Sequence, residues 1–216
     1  MDAVNKLPGS PPKIEFWFEF GSNYSYLSVM RIEDIACQSG VHVVWKPFLL
    51  GPIFRALGME NSPFVLQKEK GAYVWQDMER QCRKYGLRWT KPTTFPRLGV
   101  LPARIALLGA EERWIGGFCR VVMERNFVRD QDINGPDAMS EILTGLGLPA
   151  AELLAQAQSE PIKTRLREQT EEARRRGIFG APTFLVGSEM FWGNDRLDEA
   201  FTFAAEHGPV HPAARP

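Results

Sequence analysis

One segment near the start of the chain, where an alternating apolar run passes directly into a glycine and a serine, constrains the fold most. Over residues 14–20 four apolar residues alternate with two glutamates and a tryptophan, which is the period of a β-strand. Gly21 then permits a sharp turn, and Ser22 is a good N-cap for a helix that we predict from residue 24. The start of a helix favours an anion, and a thiolate is an anion. The alternative is that Ser22 only caps the helix.

The composition of the 216 residues argues against two classes of partner. Lys and Arg together number 26, and Asp and Glu together also number 26, so bulk positive charge for nucleic acid is lacking. No apolar run reaches the roughly 18 residues that a membrane span needs, and residues 1–12 lack the apolar core of a signal peptide. We expect a cytoplasmic protein with a disordered leader at 1–12 and a disordered tail at 207–216.

Neither the cysteines nor the histidines have the spacing of a redox or metal site. Cys37, Cys82 and Cys119 contain no C-x-x-C pair, and their odd number without a signal peptide indicates reduced thiols. His207 and His211 are four residues apart but lie in the predicted tail, with no third ligand nearby. The third histidine lies in a predicted strand. We therefore predict no bound metal.

The elements on either side of a long helical block have the order of a thioredoxin-like fold. The first half reads as strand, helix and strand, a βαβ unit with a parallel pair, and the second half reads as a hairpin followed by a helix. These elements are a strand at 14–20, a helix at 24–39, strands at 41–47, 182–186 and 189–192, and a helix at 196–206. The predicted fold class is α/β, a thioredoxin-like fold with a large all-helical insertion between the βαβ and ββα halves. The insertion domain covers residues 51–176, and the thioredoxin-like domain covers residues 13–50 and 177–206.

The block from 53 to 176 contains no strand-like run. We predict helices at 64–85 (interrupted at Gly71), 103–113, 114–127, 137–146, 149–158 and 162–176, with a long loop at 87–102. In the first of these helices, Lys70, Tyr73, Asp77 and Arg80 fall close to one face. Such a polar face usually meets bulk water. The alternative is that it faces a site across a cleft.

A proline opens the third predicted strand. Pro182 lies where it cannot donate to the strand ladder, and an X-Pro bond at such a junction can be cis. A cis-proline at this point of a thioredoxin-like fold lies beside the start of the first helix, where the preceding residue, Ala181, offers its backbone to a peptide-like ligand. The alternative is an ordinary trans proline at a strand start. The ββα order that follows favours cis.

Five segments in order give the chain a resemblance to one enzyme family. They are F-G-S-N-Y-S-Y-L at 20–27, P-F-L-L-G at 47–51, K-x-x-Y-x-x-x-D-x-x-R at 70–80, G-I-F-G-A-P-T-F at 177–184 and F-W-G-N-D-R-L at 191–197. Over residues 13–206 the chain resembles the kappa-class glutathione transferases and the bacterial 2-hydroxychromene-2-carboxylate isomerases. These are thioredoxin-like proteins with a helical insertion, related to the disulfide oxidoreductase DsbA.

The resemblance implies that glutathione is the cofactor. Ser22 and Ser25 stand where the redox relatives carry a C-x-x-C pair, so this chain cannot form the catalytic disulfide. In this family the hydroxyl at the Ser22 position lies beside the glutathione sulfur, where it favours the thiolate. The implied glutathione-binding residues are Ser22, Asn23, Tyr24, Asn61, Lys70, Ala181, Pro182, Asn194 and Asp195. Asn23 departs from the family, which commonly has a proline there, and it adds a polar group beside the thiol.

The resemblance also implies a small aromatic substrate that carries a carboxylate. The candidates for binding it are Lys70, Tyr73, Arg80 and Trp192, with Arg97 as a further cation and Trp17 and Phe48 as further apolar walls. The cations could equally be surface charges, and the aromatic residues are individually more often core.

The implied function is a glutathione-dependent isomerase that interconverts 2-hydroxychromene-2-carboxylate and trans-o-hydroxybenzylidenepyruvate in aromatic degradation. Ser22 is the implied catalytic residue, and the thiolate adds reversibly, so glutathione is recovered. Two alternatives stay open: a kappa-like transferase that consumes glutathione, and a non-catalytic glutathione-binding module. Members of the family are commonly dimers, and we expect a homodimer.

Overall fold

A four-stranded mixed sheet forms the centre of the fold in the computed structural model, which describes residues 11–207. The strands are β1 (Lys13–Phe18), β2 (His42–Pro47), β3 (Thr183–Val186) and β4 (Glu189–Trp192). In space they follow the order β2-β1-β3-β4. β1 pairs in parallel with β2 and antiparallel with β3, and β3 pairs antiparallel with β4. The predicted thioredoxin-like order, with a parallel βαβ pair and a later hairpin, is confirmed.

Helices cover the sheet and form the long block between β2 and β3. They are α1 (Asn23–Val29), α2 (Ile32–Ser39), α3 (Leu50–Ala56), α4 (Pro63–Leu66), α5 (Lys68–Tyr85), α6 (Val100–Leu108), α7 (Ile115–Phe127), α8 (Pro136–Gly145), α9 (Ala150–Ala157), α10 (Glu160–Arg175) and α11 (Leu197–His207), with a 3-10 turn at Asn194–Arg196. Between residues 48 and 182 the structure contains no strand, as predicted. None of the helices described is long and apolar enough to cross a membrane. The division into two domains stays a prediction.

The predicted termini fall almost entirely outside the described residues. Of the leader at 1–12 only positions 11 and 12 are described, and the backbone carbonyl of Pro12 accepts a hydrogen bond from the His42 N–H at 2.7 Å. Of the tail at 207–216 only His207 is described, and it is the last residue of α11.

The central strand β1 buries side chains on both of its faces. Phe16 and Phe18 belong to the larger core cluster, and Phe16 stacks on Phe184 of β3 with ring centroids 5.3 Å apart. On the opposite face Trp17 is fully buried against Phe48 in a second cluster. Burying each such side chain stabilises the fold by about 1.5–3 kcal/mol. Helices cover both faces of the sheet. Trp17, which lies between Phe16 and Phe18 in the sequence, is therefore shielded from water although the phenylalanines point to the opposite face.

The first strand is shorter than predicted. Its pairing with β2 ends at Phe18, although the alternation in the sequence continues to Phe20. The Phe20 carbonyl instead accepts a hydrogen bond from the side-chain amide of Asn126 in α7, at 2.9 Å. The two residues after Phe18 therefore leave the sheet and carry the chain towards α1.

The helix predicted over 24–39 is two helices, α1 and α2, with a break at Met30 and Arg31. The break directs the Arg31 side chain to Asp198 at the start of α11, with an N–O distance of 2.8 Å, and over the ring of Tyr85. No glycine or proline marks this position in the sequence, so the break was not predictable from local signals.

The insertion differs from the prediction at two helix starts. The break in the helix predicted over 64–85 lies at Gln67, and Gly71 is inside α5. A Cβ on Gly71 would lie 2.2 Å from the Phe64 carbonyl oxygen, so this glycine lets α4 pack on α5. The predicted loop at 87–102 ends earlier because α6 begins at Val100, which places Pro102 in its first turn, where proline is tolerated.

Candidate functional site

A cleft of about 1070 Å³ lies where the thioredoxin-like half meets the insertion. The loop after β1, the loop before β3 and the 3-10 turn line one side. The other side is lined by α3, α4, α5 and the loop at 95–99. Pockets for drug-sized ligands are about 300–1,000 Å³. The cleft is therefore large enough for a small peptide together with a second small molecule.

Ser22 is the N-cap of α1 and lines this cleft. Its Oγ accepts a hydrogen bond from the Ser25 N–H at 3.2 Å and donates one to the Ala181 carbonyl at 2.9 Å. The side chain therefore both caps the helix, as predicted, and joins the two halves of the thioredoxin-like unit. With a residue exposure of 8 %, the hydroxyl is sheltered from bulk solvent.

The Ala181–Pro182 peptide bond is cis, which confirms the prediction. Ala181 lines the cleft, whereas Pro182 is buried and its carbonyl accepts a hydrogen bond from the Gly193 N–H at 2.9 Å. A second cis bond, Phe95–Pro96, lies in the loop on the other side of the cleft and was not predicted.

Glu19 is a cleft residue that the sequence analysis did not single out. It lies between β1 and Ser22, and its Oε1 accepts a hydrogen bond from the Leu50 N–H at the start of α3, at 3.2 Å. Desolvation by burial raises the pKa of the Glu19 carboxyl to about 7, against a smaller opposing effect of the Leu50 hydrogen bond. The alternation of the predicted strand placed Glu19 on its polar side. The signal for the site was its position two residues before Gly21 and three before Ser22.

We expect Glu19→Gln to change how stability depends on pH. The native carboxyl titrates near pH 7 and the unfolded one near 4.5, so the native state binds more protons between these values. Stability contributed by Glu19 is therefore lost as the pH rises from about 4.5 to 7. Glutamine keeps an acceptor for Leu50 but does not titrate. In urea unfolding, the free energy of unfolding of the variant, relative to that of the wild type, should rise by up to about 3 kcal/mol between pH 5 and pH 8. A constant difference at both pH values would contradict the assignment.

Tyr24 and Asp77 connect α1 with α5 inside the cleft. The Tyr24 hydroxyl donates to Asp77 Oδ2 at 2.7 Å, and Gln81 donates to Oδ1 at 3.3 Å. Burial raises the pKa of the Tyr24 hydroxyl, and the hydrogen bond that this hydroxyl donates to the Asp77 carboxylate raises it further. Tyr24 is therefore a neutral group that fixes the insertion against the helix of Ser22.

Asn23 is buried in the wall of the cleft with no hydrogen-bond partner for either amide atom within residues 11–207. Its exposure is 1 %. Leaving a buried donor or acceptor unpaired costs about 1–3 kcal/mol. This side chain therefore destabilises the fold.

We expect Asn23→Pro to raise the free energy of unfolding by about 1–3 kcal/mol, because it removes both unpaired groups. Position 23 is the first residue of α1, which suits proline. Ser22 already has the extended backbone that a residue before proline needs, with φ −85° and ψ 118°. Urea unfolding measures the change, and Asn23→Leu is the control that removes the amide without fixing the backbone. Destabilisation by both variants would show that the amide has a partner.

Most residues predicted for the site line the cleft. They are Ser22, Asn23, Tyr24, Asn61, Lys70, Tyr73, Ala181, Trp192, Asn194 and Asp195. Asp77 also lines it, so the polar face of α5 meets the cleft rather than only bulk water. Arg80 is not among the lining residues, and its guanidinium lies 5.4 Å from the Tyr73 ring centroid. Trp17 and Phe48 are fully buried in the core, so they cannot form a substrate wall. The roles of the lining residues stay predictions.

Two predicted site residues have side chains engaged by the protein itself. Asn194 Oδ1 accepts hydrogen bonds from Ser28 Oγ at 3.2 Å and from the Arg31 guanidinium at 3.3 Å. Arg97 lines the cleft, but its guanidinium pairs with Asp130 and its side chain is only 9 % exposed. The suggestion that Arg97 binds the substrate carboxylate is therefore not supported.

Exposed apolar side chains gather at the mouth of the cleft. Leu57, Tyr73, Leu98, Phe179 and Trp192 are all more than 40 % exposed, and all line the cleft. Phe179 and Trp192 lie with ring centroids 4.8 Å apart. Sequence reasoning missed Leu57, Leu98 and Phe179, because loops and helix ends carry no periodic signal. We call these five residues the apolar rim.

The protein supplies no thiol to the cleft. The three cysteines are free, and none is among the lining residues. Burial raises the pKa of the Cys82 thiol to about 12 and that of Cys119 well above its ordinary value, which leaves both unreactive. Among residues 11–207 no three His, Cys, Asp or Glu side chains are grouped to hold a metal ion.

Comparisons with known proteins fit this geometry. The family model described as the DSBA-like thioredoxin domain matches residues 13–202. A 2-hydroxychromene-2-carboxylate isomerase of Sphingobium xenophagum is 27% identical over 185 residues, 86% of this chain and 94% of that protein. Glutathione S-transferase kappa 1 of Caenorhabditis elegans is 24% identical over 200 residues, 86% of this chain and 88% of that protein.

A solved structure extends the likeness to the fold. The structure of a 2-hydroxychromene-2-carboxylate isomerase superposes with a TM-score of 0.80 at 24% identity, and the match covers 91% of this chain and 94% of the other. The similarity therefore includes the helical insertion as well as the sheet.

Proposed function

We propose a glutathione-dependent isomerase, from the premise that this chain belongs to the DSBA-like thioredoxin domain family. The observation that carries the proposal is the Ser22 hydroxyl, which lies in the cleft beside the cis Ala181–Pro182 bond. A thioredoxin-type site with serine at this point has no sulfur of its own, and no cysteine of this chain lines the cleft. We propose that a bound thiol supplies the nucleophile. The relatives named as kappa glutathione transferases support glutathione as that thiol.

Glutathione would lie between the two halves of the protein. We propose that the Ala181 backbone pairs with its cysteinyl part, and that Asp195, together with the backbone N–H groups that begin at Asn194, holds its γ-glutamyl end. The Asp195 carboxylate can accept a charge-assisted hydrogen bond from the γ-glutamyl ammonium. Asn61 and Lys70 lie on the insertion side of the cleft, and Lys70 can bind a carboxylate of glutathione or of the substrate.

The hydrogen bonds of Ser22 suggest how binding activates the thiol. In the structure, the hydroxyl donates a hydrogen bond to the Ala181 carbonyl. A cysteinyl N–H that arrives at this carbonyl takes the place of the hydroxyl. The hydroxyl can then donate to the sulfur and favour its thiolate form. Binding of the glutathione backbone at Ala181 would therefore also activate its sulfur, because it releases the Ser22 hydroxyl.

Glutathione held at Ser22 and Ala181 would supply covalent catalysis: reversible addition of its thiolate to the conjugated double bond of the ring-opened substrate would permit rotation to the trans isomer and leave glutathione unchanged. Ser22 would favour the thiolate form of its sulfur, and Ala181 would orient its cysteinyl part.

The apolar rim and the cleft volume suit an aromatic substrate. Tyr73 and Trp192, both predicted for the substrate, belong to this rim with three further apolar side chains. Exposed apolar groups concentrated at one opening indicate a binding site for an apolar molecule. The cleft of about 1070 Å³ accommodates such a molecule beside glutathione.

The test is the ultraviolet spectrum of 2-hydroxychromene-2-carboxylate with the protein, with and without a catalytic amount of glutathione. We expect conversion to the trans-benzylidenepyruvate only when glutathione is present, with the free-thiol concentration unchanged at the end. An unchanged chromene spectrum would overturn the isomerase assignment.

The second candidate is a kappa-like transferase, which the kappa relatives favour. It would consume glutathione with an electrophile, so the loss of free thiol separates it from the isomerase. A protein that binds glutathione and does neither reaction is a binding module. A cytoplasmic homodimer that acts in aromatic degradation stays a prediction from the family resemblance.

A further inference from the structure

Glu19 is a carboxyl group in the cleft that thiolate addition does not use. Only one hydrogen bond holds it, from the Leu50 N–H to Oε1, and within residues 11–207 no cation lies at ion-pair distance. Glu15, which lies in β1 and precedes Glu19 in the alternating segment, differs because it pairs with Arg176 and accepts from the Trp17 indole N–H. Glu15 is also absent from the lining of the cleft. Of these two glutamates, only Glu19 is placed to meet a ligand.

The position of Glu19 relative to Ser22 is fixed by the backbone. The Ser22 N–H donates to the Glu19 carbonyl at 3.1 Å, which closes a tight turn between the two residues. The Leu50 hydrogen bond then holds the carboxyl group against the start of α3. The carboxyl and the hydroxyl thus enter one cleft from the two ends of a four-residue segment.

The reaction proposed above needs a proton carrier besides the thiol. The substrate is a cyclic hemiketal, and opening its ring removes a proton from the 2-hydroxyl and delivers one to the ring oxygen. Ser22 is poorly suited to this step, because an alcohol is a weak acid and this hydroxyl already has two hydrogen bonds. An acid–base group is most effective when its pKa is near the working pH.

We propose that Glu19 is the acid–base residue of ring opening, an inference that rests on the proposed isomerase function. The carboxylate takes the proton of the 2-hydroxyl while the bond between C2 and the ring oxygen breaks. The hydroxyl electrons form the carbonyl, the electrons of the broken bond go to the ring oxygen, and Glu19 returns the proton there to give the phenol. Protons and electrons balance without another reactant. The pKa of about 7 provides both forms of the carboxyl group at neutral pH.

Two substrates separate this role from thiolate addition. The first is 2-hydroxychromene-2-carboxylate, whose ring must open. The second is benzylidenepyruvate without the ring hydroxyl, converted to its cis form by light, which cannot close a ring and needs only thiolate addition. We expect Glu19→Gln to lower kcat on the chromene by about a hundredfold or more and to leave cis-to-trans conversion of the second substrate nearly unchanged. Glu15→Gln, the matched control, should retain both activities.

Each outcome decides the proposal. Equal loss on both substrates would overturn it and indicate a general effect on the cleft, and no loss on either would also overturn it. Glu19→Asp, which keeps an acid on a shorter side chain, should recover part of the chromene activity if Glu19 carries the proton. If the wild type itself converts neither substrate with glutathione, the proposed function fails first. If the wild type converts both and Glu19→Gln equals it, only this inference fails.

Discussion

Ser22→Ala is expected to lower kcat/KM for the glutathione-dependent reaction by about a hundredfold or more. A single hydrogen bond to charge that develops in a sheltered site contributes about 10²–10³ in rate, and the Ser22 hydroxyl is sheltered in the cleft beside Ala181. Steady-state kinetics with the chromene substrate and saturating glutathione measure the loss. Glutathione binding, followed by thermal shift, should change much less, because the backbone contacts at Ala181 remain.

Stability must be measured in parallel, since Ser22 also caps α1 through the Ser25 N–H. Losing such a cap costs about 1 kcal/mol, which does not unfold the protein. Ser25→Ala is the matched control: Ser25 is a buried serine on the same helix that does not line the cleft, and its Oγ accepts only a long hydrogen bond, from the Glu19 N–H at 3.5 Å. We expect it to keep the activity. Full activity of Ser22→Ala would remove Ser22 from the mechanism and favour a role in capping alone.

Gly21→Ala is expected to destabilise the fold by about 1–3 kcal/mol, in the range of overpacked sites, and to reduce activity strongly. A Cβ on Gly21 would lie 2.7 Å from the Arg97 carbonyl oxygen. That backbone cannot withdraw easily, because the Arg97 side chain is held by Asp130 and by Asn126 at 3.0 Å. The clash would displace either the loop across the cleft or Ser22. Urea unfolding and kinetics with the chromene substrate measure both effects.

Gly51→Ala provides the matched control for this substitution. Gly51 also lines the cleft, but a Cβ there would meet no atom within 4 Å. Because Gly51 lies in α3, alanine should stabilise the protein by roughly 0.5–1 kcal/mol. If Gly21→Ala were as stable and active as the wild type, the close approach of the two loops would not be needed.

Local signals in the sequence predicted the parts of the fold that depend on local physics. The alternation around Phe16 predicted β1, and the hairpin signal at Gly187 predicted β3 and β4. These two features need only neighbouring residues to be recognised. The cis bond at Pro182 was predicted from the position of this proline at a strand start together with the ββα order that follows it.

The features that the sequence did not predict depend on residues far apart in the chain. Arg97 was a candidate for binding the substrate carboxylate, but its guanidinium forms an ion pair with Asp130, 33 positions later. Trp17 looked like a polar-side residue of β1, but the insertion covers that face of the sheet. The raised pKa of Glu19 follows from burial beside Leu50, 31 positions later. No periodicity or spacing encodes such pairings.

The chain order of the sheet has a consequence for how the protein is made. Ser22 and Ala181, whose hydrogen bond joins the two halves of the thioredoxin-like unit, are 159 positions apart, so at about 5–20 residues per second a ribosome needs on the order of ten seconds between them. During this interval β1 can pair with β2, but the backbone groups on its other edge have no partner, and Phe16 lacks the ring of Phe184 that stacks on it. Unpaired apolar edges promote aggregation. Nascent chains that stop before β3 should therefore be the form of this protein that depends most on chaperones.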